Sequence, residues 1–166
     1  MRESGILTEE DRVELLDGQI VPMSPIGKFH ASCVNRLNRF LSDLLRDNII
    51  SVQNPVVLDD DSEPEPDVAI LKYKEDFYAE ISPRPKDVEL IIEVADTSLE
   101  KDKQLKIPLY AASGIQEVWI IDLTRTEVIV YSQPKNAVYQ HSLVFGRSAV
   151  LASPSLGEIP VKDLIG

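Results

Sequence analysis

The chain has 166 residues, 43% of them hydrophobic, and its 28 acids outnumber its 17 lysines and arginines to give a net charge of −11. This composition is typical of a single soluble domain over residues 1–166, and no apolar run approaches the roughly 20 residues that cross a membrane. One cysteine, Cys33, excludes an internal disulfide, and the first residues lack a signal-peptide pattern, so we expect a cytoplasmic protein. The acid excess disfavours a general nucleic-acid binder, which usually presents a basic face.

The first third of the chain predicts a turn, a hairpin and a helix. Residues 8–11 can form a short helical turn. Asp17 and Gly18 stand between two apolar stretches and predict a β-hairpin, because both turn positions require positive φ. From residue 28 to about 46 the apolar residues recur at spacings of three and four, which predicts an amphipathic helix with Cys33 on its buried face.

The middle of the chain predicts short strands around an acidic loop. Strands are expected near residues 49–52 and 56–58, followed by a solvated loop at residues 59–66. Pro64 stands where a calcium loop requires glycine, so this acidic loop does not predict a calcium site. Later strands are expected at residues 67–71, 88–95, 118–121, 128–131 and 137–139, with turns at 124–125 and 134–136.

A helix is expected between the fifth and sixth of these strands. Thr97 and Glu100 have the spacing of a capping box, and the helix should continue to about residue 112. Pro108 should kink it, because proline removes one backbone hydrogen bond and clashes with the preceding turn. A short amphipathic segment at residues 161–165 ends the chain. Helices and strands therefore alternate in an α/β (α+β) pattern.

Two acids and a lysine stand out against this background. Glu93 lies inside the apolar stretch 88–95, where an ionised carboxylate costs several kcal/mol unless a cation or hydrogen bonds compensate it. Asp67 opens another apolar strand, and Lys106 lies in the predicted helix. Each residue also has an ordinary structural interpretation. Asp67 can accept turn amides, Glu93 can pair with an arginine across the sheet, and Lys106 can be solvated.

Acid, acid and lysine in this order are typical of a metal-dependent phosphodiester-cutting site. Mg²⁺ or Mn²⁺ takes oxygen ligands and keeps most of its waters, so Asp67 and Glu93 suffice to hold it. Such an ion polarises a phosphoryl oxygen and lowers the pKa of a bound water. If the helix packs over this edge of the sheet, Lys106 can assist the attacking water or neutralise charge developing on the phosphate.

Five motifs in a fixed order resemble the Uma-type family of bacterial restriction-endonuclease-like proteins, a branch of the PD-(D/E)XK superfamily. They occupy residues 14–21, 24–30, 66–70, 93–98 and 106–122. The resemblance implies one mixed β-sheet flanked by helices, additional antiparallel strands, homodimerisation and activity on DNA. It also implies that Asp67 and Glu93 hold the metal, that Glu14 adds a further acid, and that Lys106 replaces the superfamily lysine, whose usual place is taken by Ala95. His30 falls on a recurrent histidine of the family, although from its position alone it is more typical of a surface or capping residue.

Three hypotheses follow from the sequence. The leading one is an Mg²⁺- or Mn²⁺-dependent endonuclease. The second is a catalytically weak protein of the same fold that acts as a binding or regulatory homodimer; the acidic composition and Pro108, which stands two residues after Lys106, motivate it. The third is a globule in which Glu93 forms a buried ion pair with an arginine.

Overall fold

The computed structural model describes residues 12–166, and the turn predicted at residues 8–11 lies outside them. Its centre is a six-stranded mixed sheet of order β3-β4-β5-β6-β7-β8. Strands β5 and β6 are parallel, and the other neighbours are antiparallel. The strands of this sheet are β3 (Asn48–Val52), β4 (Val68–Lys72), β5 (Val88–Ala95), β6 (Glu117–Asp122), β7 (Glu127–Lys135) and β8 (Val138–Gly146).

Two antiparallel hairpins stand beside the sheet, β1 (Val13–Leu16) with β2 (Gln19–Pro22) and β9 (Val150–Ser153) with β10 (Gly157–Pro160). The first hairpin is the predicted one, and Asp17 and Gly18 take φ values of 49° and 74° as its turn requires. It docks on the acidic loop, where the Glu63 amide donates to the Leu15 carbonyl at 2.7 Å. The expected fold, a mixed sheet flanked by helices with additional antiparallel strands, is confirmed.

Helices cover both faces of the sheet. On one face, α1 (Lys28–Leu44) and α4 (Val161–Ile165) pack over a core that includes Cys33, while α3 (Ile107–Ala112) covers the other face. Strand β5 is buried along nearly its whole length because both of its faces are covered, which explains its continuous apolar sequence. No helix among residues 12–166 is long and apolar enough to span a membrane.

Pro108 affects the helix upstream of itself. The chain forms α2 (Leu99–Lys101), then a π-helical turn (Asp102–Lys106), then α3 with Pro108 in its first turn. The Ile107 amide donates to the Asp102 carbonyl five residues back. The wider turn absorbs the conflict between the proline ring and the preceding backbone, so the element continues past the proline.

Four local predictions were wrong. Residues 56–58 form no strand, because Val56 and Val57 donate to the carbonyls of Pro64 and Pro83 in neighbouring loops rather than to a strand. The capping box does not form: Ser98 is the N-cap, without a side-chain cap bond, and its hydroxyl donates to Asp102. The β7–β8 turn is at residues 136–137, and strands β9 and β10 were not anticipated.

Candidate active site

The candidate site lies where β4 begins and β5 ends. Val68 pairs with Ile92 in the antiparallel ladder, so one further step of the same register places Asp67 opposite Glu93. The two strands are therefore neighbours, and their acids meet at one edge of the sheet. Asp67 is fixed to the adjacent strand, because its Oδ2 accepts a hydrogen bond from the Val94 amide at 2.8 Å.

Glu93 is buried, with 2% of its surface exposed, and it is neutralised by a lysine rather than by an arginine. The Lys106 Nζ lies 2.7 Å from Glu93 Oε1. The hydroxyl of Tyr110, one turn later on α3, donates to the same oxygen at 2.6 Å. The predicted arginine pair is thus wrong in its partner, and the proposed displacement of Lys106 by Pro108 does not occur.

Glu14 reaches this cluster from the β1 strand. Its Oε1 lies 2.8 Å from the Lys106 Nζ and also accepts the Glu65 amide at 2.9 Å. Its Oε2 lies 3.4 Å from the Lys101 Nζ. The hairpin therefore carries a buried acid into the same ion network that holds Glu93, and Lys106 bridges the two carboxylates.

Burial and the shared lysine set the protonation of this network. Burial raises the pKa of the Glu93 carboxyl to about 8, although the Lys106 ammonium opposes the shift. Burial also disfavours the Glu14 carboxylate, but Lys106 outweighs it and lowers the pKa of Glu14. The Lys106 pKa is raised because the charges of Glu93 and Glu14 overcome its own desolvation. Near neutral pH the Lys106–Glu14 pair is charged, while Glu93 retains a proton in much of the population.

His30 approaches from the first turn of α1. Its Nε2 lies 3.0 Å from Asp67 Oδ1, and this hydrogen bond raises the pKa of His30 against the opposing effect of burial. Its Nδ1 is buried and makes no hydrogen bond within residues 12–166. The sequence alone favoured a surface or capping histidine, whereas the structure places His30 against Asp67.

Asp102 is a further acid of the site that sequence reasoning missed. It is 5% exposed on the π-helical turn, and burial raises its pKa to about 6. Ser98, Asp102 and Lys106 recur at intervals of four, so the sequence carried a signal that these side chains share one helical face. Tyr110 continues the same spacing and was noted only as a helix residue.

These groups line one cavity of about 300 Å³ between the β1–β2 hairpin, the loop before α1 and the π-helical turn. Its charged lining comprises six acids and three basic residues besides His30, so the cavity favours a cation over a bare phosphate. The acids are Glu14, Glu65, Asp67, Glu93, Asp96 and Asp102, and the basic residues are Arg12, Lys101 and Lys106. All five side chains expected to form the site, Glu14, His30, Asp67, Glu93 and Lys106, line it.

The donor set fits a hard divalent cation only with water as a major ligand. Within residues 12–166 no three His, Cys, Asp or Glu side chains converge as a ready metal-binding group. Mg²⁺ and Mn²⁺ do not require such a group, because one or two carboxylates and several waters satisfy an octahedral ion. Asp67 and Glu93 are the carboxylates whose adjacent placement suits that role.

Comparison with known proteins agrees with this architecture. A solved structure described as "a putative nuclease belonging to DUF820" from Anabaena variabilis has a TM-score of 0.76 to this chain at 18% identity. The similarity covers 98% of this chain and 94% of that one, and it establishes a shared fold. No curated protein matches the chain. Residues 3–161 match the model of the Uma2 family, described as "Putative restriction endonuclease", which indicates a nuclease; the chain therefore belongs to the Uma2 family.

Proposed function

We propose that the chain is an Mg²⁺- or Mn²⁺-dependent endonuclease that hydrolyses phosphodiester bonds in DNA. The observation that carries this proposal is the placement of Asp67 opposite Glu93, with the Lys106 ammonium 2.7 Å from Glu93. Two acids suited to a hydrated divalent ion thus stand beside a buried, permanently charged lysine. Membership of a restriction-endonuclease family makes DNA the substrate of choice.

Asp67 and Glu93 would hold the ion. When bound, a divalent ion supplies charge stabilisation for the phosphoryl oxygens and lowers the pKa of a coordinated water. Glu93 Oε1 already accepts from Lys106 and Tyr110, which leaves Oε2 as its unengaged oxygen. The Val94 amide holds Asp67 in a similar way through one oxygen. Both acids are therefore oriented before any ligand arrives, which reduces the cost of binding.

Lys106 performs the electrostatic work of the protein itself. It is 3% exposed, and Glu14 and Glu93 hold its ammonium in a fixed position. A fixed cation in a poorly solvated cavity stabilises negative charge developing on a phosphate more than a solvated lysine does. It also provides hydrogen-bond donors that orient the attacking water. His30, paired with Asp67, is placed to orient that carboxylate and to exchange a proton near neutral pH.

The acidic cavity also explains how a protein of charge −11 can act on a polyanion. The excess of carboxylates repels a bare phosphate and attracts a divalent cation, so substrate binding should depend on the ion. The alternative of a catalytically weak binding protein keeps its support from the acidic composition. It loses its support from Pro108, because Lys106 faces the cavity.

The test is cleavage of plasmid and single-stranded DNA and of RNA with Mg²⁺ or Mn²⁺, comparing the wild type with Glu93→Gln. The matched control is Glu89→Gln, an acid of the same strand outside the cavity lining. We expect metal-dependent cutting of DNA by the wild type and the control, and loss of cutting in Glu93→Gln. Cutting that survives in Glu93→Gln would overturn the assignment, and cutting of RNA alone would overturn the substrate.

A further inference from the structure

The outer edge of β8 has the properties of an interior strand. Within residues 12–166 β8 pairs with β7 on one side and with no strand on the other. It is nine residues long, so its second row of backbone donors and acceptors is open along an extended stretch. Exposed edges of this length are usually protected by charges, proline or bulges, because an open edge recruits further strands.

Strand β8 carries none of these protections. Residues 138–146 contain no Lys, Arg, Asp, Glu or Pro, in a chain where 27% of the residues are charged. It also exposes aliphatic side chains on both faces: Leu143 is 54% exposed and Val144 is 58% exposed. Adjacent residues of a strand point to opposite faces, so apolar surface flanks the open edge above and below.

The β7 partners of these two residues are core residues. Leu143 pairs with Val130, which is 3% exposed and belongs to the core under α1, and Val144 pairs with Ile129, which is 4% exposed under α3. Both apolar layers therefore extend one strand farther than the helices that cover them. Another strand beside β8 would bury these side chains and satisfy the open backbone groups together.

We propose that this edge is the contact between two copies of the chain, which pair antiparallel through β8 to form a continuous twelve-stranded sheet. A two-fold axis makes an antiparallel pair of identical strands self-complementary, so each residue meets its counterpart symmetrically. Two copies of charge −11 repel each other over most of their surface. The uncharged β8 strip is where that repulsion is least, and this charge pattern favours a second copy over a strongly basic partner or a nucleic acid.

The interface is separate from the candidate active site. Seven strand-to-strand steps of about 4.8 Å separate β5 from its counterpart in the pair, roughly 34 Å across the sheet. The two cavities are too far apart to share one phosphate, so neither needs the other chain to be complete. The inference therefore does not rest on the proposed nuclease activity.

The test is the mass of the full chain in solution, measured by light scattering and sedimentation across a wide range of concentrations. We expect the wild type to have twice the chain mass of 18.6 kDa. The double variant Leu143→Lys, Val144→Lys should have the single mass. The matched control is Phe77→Lys, Ile81→Lys, which adds the same charge at residues 66% and 62% exposed on the β4–β5 connection; it should remain dimeric.

Three results would overturn the proposal: a monomeric wild type, a dimeric β8 variant, or a control that dissociates equally. Circular dichroism and melting establish that each variant is folded. If the β8 variant fails to fold, hydrogen exchange of the wild type decides. The outward-facing β8 amides should be protected at high concentration and exchange faster on dilution, and equal exchange at both concentrations would overturn the proposal.

Discussion

The Lys106 ammonium lies 2.7 Å from Glu93 Oε1, and the same nitrogen lies 2.8 Å from Glu14 Oε1. One buried cation therefore joins the central strand of the sheet to the β1–β2 hairpin. The arrangement serves two purposes, because it fixes the site acids and ties the hairpin to the sheet. Substitutions within it should affect stability as well as chemistry, and each prediction below separates the two.

Removal of the shared lysine should destabilise the fold. From sequence alone, Lys106→Ala should abolish cutting and leave the fold intact, but burial of this side chain changes that expectation. Lys106→Ala leaves Glu14 and Glu93 without their cation, which we expect to lower the free energy of unfolding by about 3–5 kcal/mol. Chemical denaturation measures the loss. Lys103→Ala, outside the cavity lining, is the control and should change stability little; equal losses in the two variants would contradict the network.

The pKa of Glu93 predicts a pH dependence of stability. Its folded value of about 8 exceeds its ordinary value of 4.5, so the folded chain binds the extra proton between these limits. The Glu93 contribution to stability therefore falls as pH rises from about 4.5 to about 8, by at most about 1.4 kcal/mol per pH unit. Denaturation across this range should show a flatter profile in Glu93→Gln. Parallel profiles for the two proteins would refute the raised pKa.

The His30–Asp67 pair predicts an elevated histidine titration. NMR suits this measurement because the chain has only two histidines, and His141→Gln assigns the signals. We expect His30 to titrate above its ordinary pKa of 6.5 and to fall toward that value in Asp67→Asn. The stability this pair contributes should be present below pH 6.5 and lost as pH rises through the His30 pKa. An unchanged His30 titration in Asp67→Asn would show that the contact does not form in solution.

Tyr110 should orient Glu93 for metal binding. Tyr110→Phe removes the 2.6 Å hydrogen bond to Glu93 Oε1, and we expect a loss of about 1–3 kcal/mol in stability and at least roughly 10-fold in Mn²⁺ affinity. Tyr139→Phe is the matched control, because it loses a buried 2.7 Å hydrogen bond to the Ile115 carbonyl outside the cavity. Comparable loss of stability without loss of Mn²⁺ affinity is expected there. Equal effects on Mn²⁺ affinity in both variants would contradict the orienting role.

Local sequence patterns predicted the elements that are decided locally. The apolar run 88–95 matched β5 to the residue because both of its faces are buried, and Asp17-Gly18 fixed the hairpin through its φ requirements. Residues 56–58 looked equally strand-like, yet their amides bond to loop carbonyls that lie far away in sequence. Nothing in the local pattern distinguishes these two outcomes.

The site was predictable in its members but not in its contacts. The charge of Glu93 in an apolar strand was the main signal, and the structure places Asp67 and Lys106 beside it. The bridge from Lys106 to Glu14 depends on the packing of the hairpin, and the inclusion of Asp102 depends on a π-helical turn. A capping-box spacing predicts a regular α-helix, so the sequence could not reveal that turn.

The central claim is a divalent cation site formed by Asp67 and Glu93, and Mn²⁺ calorimetry tests it most directly. The comparison is of the wild type with Asp67→Ala and Glu93→Ala, with Glu89→Ala as the control for loose cation binding by an acidic protein. We predict one defined site in the wild type and the control, with Mn²⁺ affinity reduced more than about 100-fold in both site variants. Equal Mn²⁺ binding in all four proteins would contradict the metal centre and favour a scaffold role for this fold.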